Sequence, residues 1–308
     1  MKILITGGAG FIGSHIADCY LQLGHEVVIV DNLITGERDN IPQKAAFYEM
    51  DICDPHLGDI FEKEHPHVVS HQAAQMDVRK SVADPIFDAT NNVLGGINVM
   101  QNCVKFGVKK FIFASTGGAI YGEQDHFPAD EDHPLRPLSP YGITKLTTEK
   151  YLYFYQQTYG LNYTVLRYAN VYGPRQNPHG EAGVVAIFLT KILSGEQPII
   201  NGDGKQTRDY VYVGDVVKAG EIALNSAEDK IYNIGTGIET NVNELFQKIC
   251  NAVGMSVPEV HGETKAGEQL RSVLSTSKIK KEEGWQPSVN LNEGLKLTAE
   301  FFRKKINR

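Results

Sequence analysis

Tyr141 and Lys145 stand four residues apart in the run Tyr141-Gly142-Ile143-Thr144-Lys145, which follows Ser139-Pro140 and leads into a helical pattern. On a helix that spacing puts both side chains on one face, so the ammonium lies near the phenol and favours its ionised form. A free phenol titrates near pH 10 and is a poor base at neutral pH. A neighbouring ammonium, joined by a second positive charge, could draw it toward about 7, where it can take a proton from an alcohol. Tyr-x-x-x-Lys spacings occur by chance on many helix surfaces. This one gains weight from Ser115-Thr116, 25 residues before the tyrosine counted from Thr116, at the end of an apolar strand. In an open parallel sheet the carboxyl ends of the strands face the ligand crevice, so a hydroxyl there can bridge substrate and tyrosine.

A second cluster opens the chain. Lys2-Ile3-Leu4-Ile5-Thr6 reads as a strand, Gly7-Gly8-Ala9-Gly10-Phe11-Ile12-Gly13 as a glycine-rich turn, and Phe11, Ile12, Ile16, Cys19, Tyr20 and Leu23 as the apolar face of a helix. Gly7 permits the tight turn, Gly10 lets a phosphate touch backbone, and Gly13 lets helix pack on strand. The helix start then offers free N–H groups and a positive dipole end to a pyrophosphate. A second apolar strand, Val27 to Val30, ends at Asp31. A carboxylate there accepts hydrogen bonds from adenosine ribose hydroxyls and repels a 2′-phosphate, which points to NAD rather than NADP. Asp51-Ile52, just past the third strand, falls where the adenine would lie. The positive nicotinamide ring is the second charge that the tyrosine needs.

The elements that must hold these residues alternate in type. Strands are expected near 2–6, 26–31, 46–49, 67–70, 110–115 and 163–168 with helices between them, a pattern that implies a parallel sheet covered on both faces. The fold class is therefore α/β, a Rossmann-type doubly wound parallel sheet with a smaller C-terminal α/β substrate lobe. The nucleotide domain is expected over 1–170, with a segment near 209–236 returning to it, and the lobe over 171–308. Two helices, 91–106 and roughly 141–159, stand out. The second carries Tyr151, Tyr153, Phe154, Tyr155 and Tyr159 on nearly every side, which calls for burial against another body, and a second copy of the chain would serve.

Composition narrows the classes. The 308 residues are 42% apolar and 22% charged, with a net charge of −7. There is no basic stripe for nucleic acid, so any phosphate must be held by local groups. No stretch of eighteen apolar residues is present to span a membrane, and the first strand leaves no room for a signal sequence. Cys19, Cys53, Cys103 and Cys250 are far apart and read as reduced thiols of a cytoplasmic protein. His65, His67 and His71 lack carboxylate or thiolate partners at metal spacing, so no metal is expected.

Taken together, these residues resemble the extended short-chain dehydrogenase/reductase family, and within it the UDP-hexose 4-epimerases. The resemblance spans essentially the whole chain. It rests on the Gly7–Gly13 turn, Asp31-Asn32, His71-Gln72-Ala73-Ala74, Ser115-Thr116-Gly117-Gly118-Ala119-Ile120-Tyr121-Gly122, Tyr141–Lys145, Arg167-Tyr168-Ala169-Asn170-Val171-Tyr172-Gly173 and Gly202–Tyr210. It implies that Tyr141 takes the proton of a sugar 4-hydroxyl while the C4 hydride passes to NAD⁺, leaving a 4-keto sugar that turns over and is reduced on its other face. Lys145 would hold the ribose hydroxyls, and Thr116 would share the proton, with Ser115 as the rival for that role. Phe11, Ile12, Asn32, Ala73, Ala74, Asn92 and Tyr168 would join the glycines, Asp31, Asp51 and Ile52 around the cofactor.

The substrate implied is a UDP-sugar gripped through its nucleotide, because a sugar that must rotate cannot be held tightly. Asn170 and Arg208 are expected at the pyrophosphate and Ile199 and Ile200 at the uracil. Lys265, or Arg271 in its place, would supply a further phosphate-binding cation. Ser272 falls where glucose-restricted relatives carry a bulky tyrosine. With Gly117 and Gly118 it leaves room for an N-acetyl group, so UDP-GlcNAc/UDP-GalNAc should react beside UDP-glucose/UDP-galactose. Dehydratases of the family carry an acidic pair where this chain has Gly117-Gly118, which disfavours elimination. A 4-epimerase of UDP-uronic acids is the runner-up and would need a cation near the sugar C6. A non-enzymatic NAD-binding regulator would lack the Tyr141–Lys145 pair.

Overall fold

In the computed structural model, residues 1–178, 183–226, 229–264 and 269–306 are described. The first half runs β1 (Lys2–Thr6), α1 (Phe11–Gln22), β2 (Glu26–Asp31), β3 (Ala46–Glu49), α2 (Leu57–Glu64), β4 (Val68–His71), α3 (Val78–Ala83), α4 (Pro85–Ala89), a π-helical turn (Thr90–Leu94), α5 (Gly95–Lys105), β5 (Lys110–Thr116), the short α6 (Gly117–Ile120), α7 (Pro140–Tyr159) and β6 (Asn162–Tyr168). The second half holds β7 (Asn170–Tyr172), α8 (Val184–Leu193), β8 (Ile200–Asn201), β9 (Thr207–Tyr212), α9 (Val213–Asn225), β10 (Lys230–Ile234), β11 (Glu239–Asn241), α10 (Val242–Val253), β12 (His261–Gly262), β13 (Arg271–Ser272), α11 (Ser277–Glu283) and α12 (Leu291–Ile306).

Seven strands form one sheet in the order β10-β6-β5-β4-β1-β2-β3, every pairing parallel. Its strands are apolar on both faces, as a sheet sandwiched between helices requires. Ile3, Ile5, Val27, Ile29, Ile112 and Ala114 point to a core shared with Ile16 and Tyr20 of α1 and Val216 and Ala219 of α9. The alternate residues Leu4, Val28, Val30, Val69, Phe111 and Phe113 meet Phe61 of α2, Val99 of α5 and Leu152 of α7 on the other face. Strand order reverses direction between β1 and β4, so the crevice at their carboxyl ends is where such a sheet receives a ligand.

The six strands expected from sequence fall within one residue of their places. The segment after 209 contributes α9, packed on α1, and β10 at the sheet edge beside β6. The remainder forms a second core from α8, α10 and α12 against a small sheet, β11-β9-β13 with β7 also on β9. Two helices differ from expectation. The 91–106 helix is interrupted at its start by the π turn at Thr90–Leu94. In α7, Tyr155 enters the core while Tyr151, Tyr153, Phe154 and Tyr159 stay exposed, so the helix is apolar on two faces and buried on one. Ser139 caps α7 by accepting from the Gly142 N–H, with Pro140 in its first turn, and Gly160 ends it in the left-handed region. These stops fix where Tyr141 and Lys145 lie along the helix.

Candidate active site

The turn after β1 is built by steric exclusion. Gly7 has φ 70°, and a Cβ there would lie 2.6 Å from the Ala73 nitrogen. A Cβ on Gly13 would overlap the Gly7 carbonyl oxygen and lie 2.9 Å from its carbon, so this glycine lets α1 sit on the turn. At Gly10 the outcome differs: within 4 Å a Cβ would meet only the Gly7 oxygen, at 3.2 Å. The space over Gly10 is open. Gly10 also starts α1 with no side-chain cap and no acidic residue in the first turn, so the first amides, including those of Phe11 and Ile12, keep their capacity for an anion.

Asp31 ends β2 beside this turn, its carboxylate accepting from the Ala9 amide at 2.9 Å and the Leu33 amide at 2.8 Å. Burial pushes its pKa up and the two amides pull it back. Gly36 was not marked by sequence, yet a Cβ there would lie 2.9 and 3.1 Å from the Asp31 oxygens, so only glycine lets the following loop close over the carboxylate. Asn32 donates to Asp51 at 2.7 Å, and Asp51 in turn accepts from the Cys53 amide, which fixes the Asp51-Ile52 turn with Ile52 buried. Ala73 donates its amide to Thr6 Oγ1 at 3.3 Å, which ties the β4 exit, including Ala74, to the end of β1. An open glycine floor, an uncapped helix start and a carboxylate at the end of β2 fit a dinucleotide.

Two expected cofactor residues differ in what their polar groups meet: those of Asn92 are hydrogen-bonded within the protein, whereas the buried Tyr168 hydroxyl has no hydrogen-bond partner among the described residues. The Asn92 amide donates to Gln75 O, Asp88 Oδ1 and Thr144 Oγ1, and its Oδ1 accepts from the Gln75 amide at 2.8 Å. All its groups are taken inside the protein, so it braces the Gln75 loop rather than presenting a free donor. Tyr168 is buried at the end of β6 with its hydroxyl beside Gln72. His71 is buried too, shares a 2.7 Å hydrogen bond with Thr6 and stacks on Phe113. Burial, with Lys145 nearby, holds its pKa down to about 3, so it is neutral.

Tyr141 and Lys145 project from α7 toward the end of β5. The Thr116 hydroxyl lies on the Tyr141 side of β5, close enough to favour the ionised phenol. Ser115 turns the opposite way, as alternate residues of a strand must, and donates to Glu149 at 2.6 Å. That carboxylate is paired with Arg167 (2.7 and 3.1 Å), which also reaches Tyr121 at 3.0 Å, and Tyr121 donates to Asn233. Of the two hydroxyls, Thr116 is therefore the one on the tyrosine side, and Ser115 belongs to a buried structural network. Glu149 is a further i+4 step beyond Lys145 on the same helix face, a spacing that sequence offered but that was not used.

Lys145 donates to the Ala114 carbonyl at 2.9 Å and lies 5.9 Å from the Tyr141 ring centre. Burial draws its pKa down to about 8, opposed by the carboxylates of Asp88 and Glu149. Burial first, then Asp88, pushes the Tyr141 phenol well above its ordinary value, with Thr116 pulling back. This departs from the expectation that the ammonium lowers the phenol. The protein by itself favours neutral Tyr141, because the desolvation of a buried phenolate outweighs the neighbouring cation.

On the substrate side, Gly118 lies between Thr116 and Asn170: a Cβ there would stand 3.8 Å from Thr116 Oγ1 and 3.6 Å from Asn170 Oδ1. Gly117 does not widen this space, because a Cβ on it would overlap Leu274 beneath the site. Arg208 of β9 faces Ser272 of β13 in parallel register, and Ser272 is 3% exposed, inside the lobe rather than on a solvent loop. The Asp209 carboxylate, one residue on, accepts from Thr236, Gly237 and Leu274 and turns away from Arg208. Arg271 is held by Glu239 at 2.6 and 3.1 Å and stacks 3.6 Å over Phe127. Ile199 is 51% exposed, whereas Ile200 is 1% exposed and packs in the α8/α10 core, so only Ile199 can offer its side chain to a base. Lys265 lies outside the described residues. Among the described residues no group of three metal-ligating side chains assembles, all four cysteines are free, and no helix is long and apolar enough to cross a membrane.

The comparisons agree with this geometry. Residues 3–235 match the model of the NAD dependent epimerase/dehydratase family. A UDP-glucose 4-epimerase of Thermotoga maritima, solved with UDP-glucose, is 50% identical, with 99% of this chain and 100% of that one covered and a TM-score of 0.97. A UDP-glucose 4-epimerase of Thermus thermophilus, in complex with NAD, is 48% identical over 98% of this chain and 99% of the other, with a TM-score of 0.95. A UDP-glucose 4-epimerase of Mycolicibacterium smegmatis is 44% identical over 99% of each chain. With its glycine floor, Asp31 and the Tyr141–Lys145 pair, the chain belongs to the NAD-dependent epimerase/dehydratase family.

Proposed function

We propose that the protein interconverts the C4 epimers of UDP-hexoses, UDP-glucose and UDP-galactose first among them. The observation that carries this is the Tyr141–Lys145 pair of α7 set against the Thr116 hydroxyl at the end of β5, at the mouth of a crevice whose adjoining position is glycine, Gly118, and not an acid. A base and a relay without an acid suit oxidation of an alcohol and its reversal, and leave elimination of water without a proton donor at that position. The relatives solved with UDP-glucose and with NAD support the same choice.

When bound, NAD supplies the acceptor, and on return the donor, of the C4 hydride. Tyr141 takes the proton of the sugar 4-hydroxyl and later returns it, and Thr116 shares that proton. Lys145 holds a positive charge beside the phenol and offers its ammonium to ribose hydroxyls. Arg208, with Asn170, grips the pyrophosphate, and Ile199 borders the uracil. Arg271, half-exposed beside Glu239, or Lys265 supplies the remaining phosphate contact. A buried serine at 272 beside Arg208 supports acceptance of the N-acetyl sugars.

The exposed aromatic face of α7, Tyr151, Tyr153, Phe154 and Tyr159, supports a homodimer through α5 and α7, because so much ring surface on one helix is costly in water. Four free thiols support a cytoplasmic location. Incubating the purified protein separately with UDP-glucose, UDP-N-acetylglucosamine and UDP-glucuronate, and following each 4-epimer by NMR, tests the function. Turnover of the first two is expected. Turnover of the glucuronate alone would replace the neutral sugar with a uronic acid, and no 4-epimer from any of the three would overturn the proposal.

A further inference from the structure

Asp88 in α4 is wholly buried and has no ion-pair partner among the described residues. Its Oδ1 accepts from Gln75 Nε2 at 2.9 Å and Asn92 Nδ2 at 3.1 Å, and its Oδ2 accepts from Thr144 Oγ1 at 2.9 Å. All three donors are neutral. A buried carboxylate taken out of water needs such donors on both oxygens. Glu149, the other acid near Lys145, has Arg167. Asp88 stands within electrostatic reach of Tyr141 and Lys145, the residues that flank Thr144 on α7. Thr144 links them physically, since its hydroxyl lies between Asp88 and the Tyr141 carbonyl, 3.0 Å away.

We propose that Asp88 is a positioning residue whose unpaired charge acts on the Tyr141–Lys145 pair, keeping Lys145 cationic and holding back ionisation of Tyr141 until substrate and cofactor are in place. The inference rests on Tyr141 being the base. The groups facing the pair from the packed elements are few. Glu149 on α7 also acts on Lys145 but is paired with Arg167, His71 on β4 is uncharged, Thr116 on β5 is neutral, and among the described residues Asp88 on α4 is the acid facing the pair without an ion-pair partner. A negative charge raises the pKa of a phenol and of an ammonium alike, so its removal lowers both.

Asp88→Asn separates charge from shape. The amide oxygen can keep the Gln75 and Asn92 donors, while the amide nitrogen donates to Thr144, whose proton turns to the Tyr141 carbonyl. In the NAD-loaded enzyme both limbs of the pH profile of kcat/KM are expected to move to lower pH, by about one unit. Asp88→Ser, which leaves room for a water to meet the same donors, is expected to shift both limbs the same way and serves if the amide variant does not fold. Thr144→Val keeps the charge and is expected to lower the rate without moving either limb. Limbs that stay fixed in whichever charge-removing variant folds, or that move in opposite directions, would overturn the proposal. Tyr141→Phe, run alongside, tells the two ideas apart: if it retains turnover, the assignment of the base has failed, and not the role of Asp88.

Discussion

Gly10→Ala and Gly13→Ala differ by three positions and are expected to fail in opposite ways. At Gly10 the backbone is extended (φ −78°, ψ −179°), which alanine adopts freely, and the new methyl meets only the Gly7 oxygen at 3.2 Å. The entropic gain of Gly→Ala, about 0.4–1 kcal/mol, is offset by a helix-capping loss of similar size, so NAD-free stability should change by less than about 1 kcal/mol. The same methyl stands in the open space where a pyrophosphate would touch backbone. A loss of NAD affinity of at least about tenfold, or about 1.4 kcal/mol, is expected. At Gly13 the methyl collides with the carbonyl of Gly7, which cannot move without lifting α1 off the turn. Overpacking against backbone costs about 3 kcal/mol and lowers Tm by about 5 °C. Thermal melts of the NAD-free proteins, with NAD titrated calorimetrically, separate the two. Wild-type NAD affinity in Gly10→Ala, or equal losses of stability in both variants, would refute the idea that Gly10 is the phosphate floor and Gly13 a packing position.

Tyr141→Phe should lower turnover about 10²–10⁴-fold with UDP-sugar affinity retained, and Thr116→Ala should do so less, because a water can relay the proton. Ser115→Ala should lower Tm through Glu149 and leave turnover near wild type; steady-state rates and melts of the three variants check this, and a rate loss confined to Ser115→Ala would contradict it. For Lys145, the folded pKa of about 8 lies below the unfolded 10.5, so between those values the unfolded chain binds more protons and the lysine's contribution to stability rises with pH, by about 1.4 kcal/mol per unit at most. The stability advantage of Lys145→Met over wild type, measured by NAD-free unfolding at pH 7 and pH 9.5, should therefore shrink at the higher pH, and a constant or widening gap would contradict a buried ammonium.

The parts legible in the sequence were those whose causes are local. The glycine turn, β1, α1 and Asp31 lie within one βαβ unit, where sterics and anion binding act on adjacent residues. Strands with apolar residues on both faces announced a covered parallel sheet. What stayed hidden depended on partners distant in sequence. Ser115 and Thr116 are neighbours, and only Glu149, 34 residues from Ser115, decides which of them turns from Tyr141. Ile199 and Ile200 divide in the same way, one to solvent and one to the second core. The Glu239 partner of Arg271 lies across the small sheet, and the partners of the Asn92 amide, Gln75, Asp88 and Thr144, come from segments distant in sequence. Asp88 carried no sequence signal, because its three donors come from three separate segments.

The central claim is that hydrogen leaves and returns at C4 as hydride while Tyr141 handles only the hydroxyl proton. UDP-glucose carrying deuterium at C4, incubated with the purified protein and no added NAD, tests it directly by NMR and absorbance. The expected product is UDP-galactose that keeps its deuterium at C4, with no build-up of NADH. Loss of the label to solvent, or NADH accumulating in proportion to product, would contradict the account.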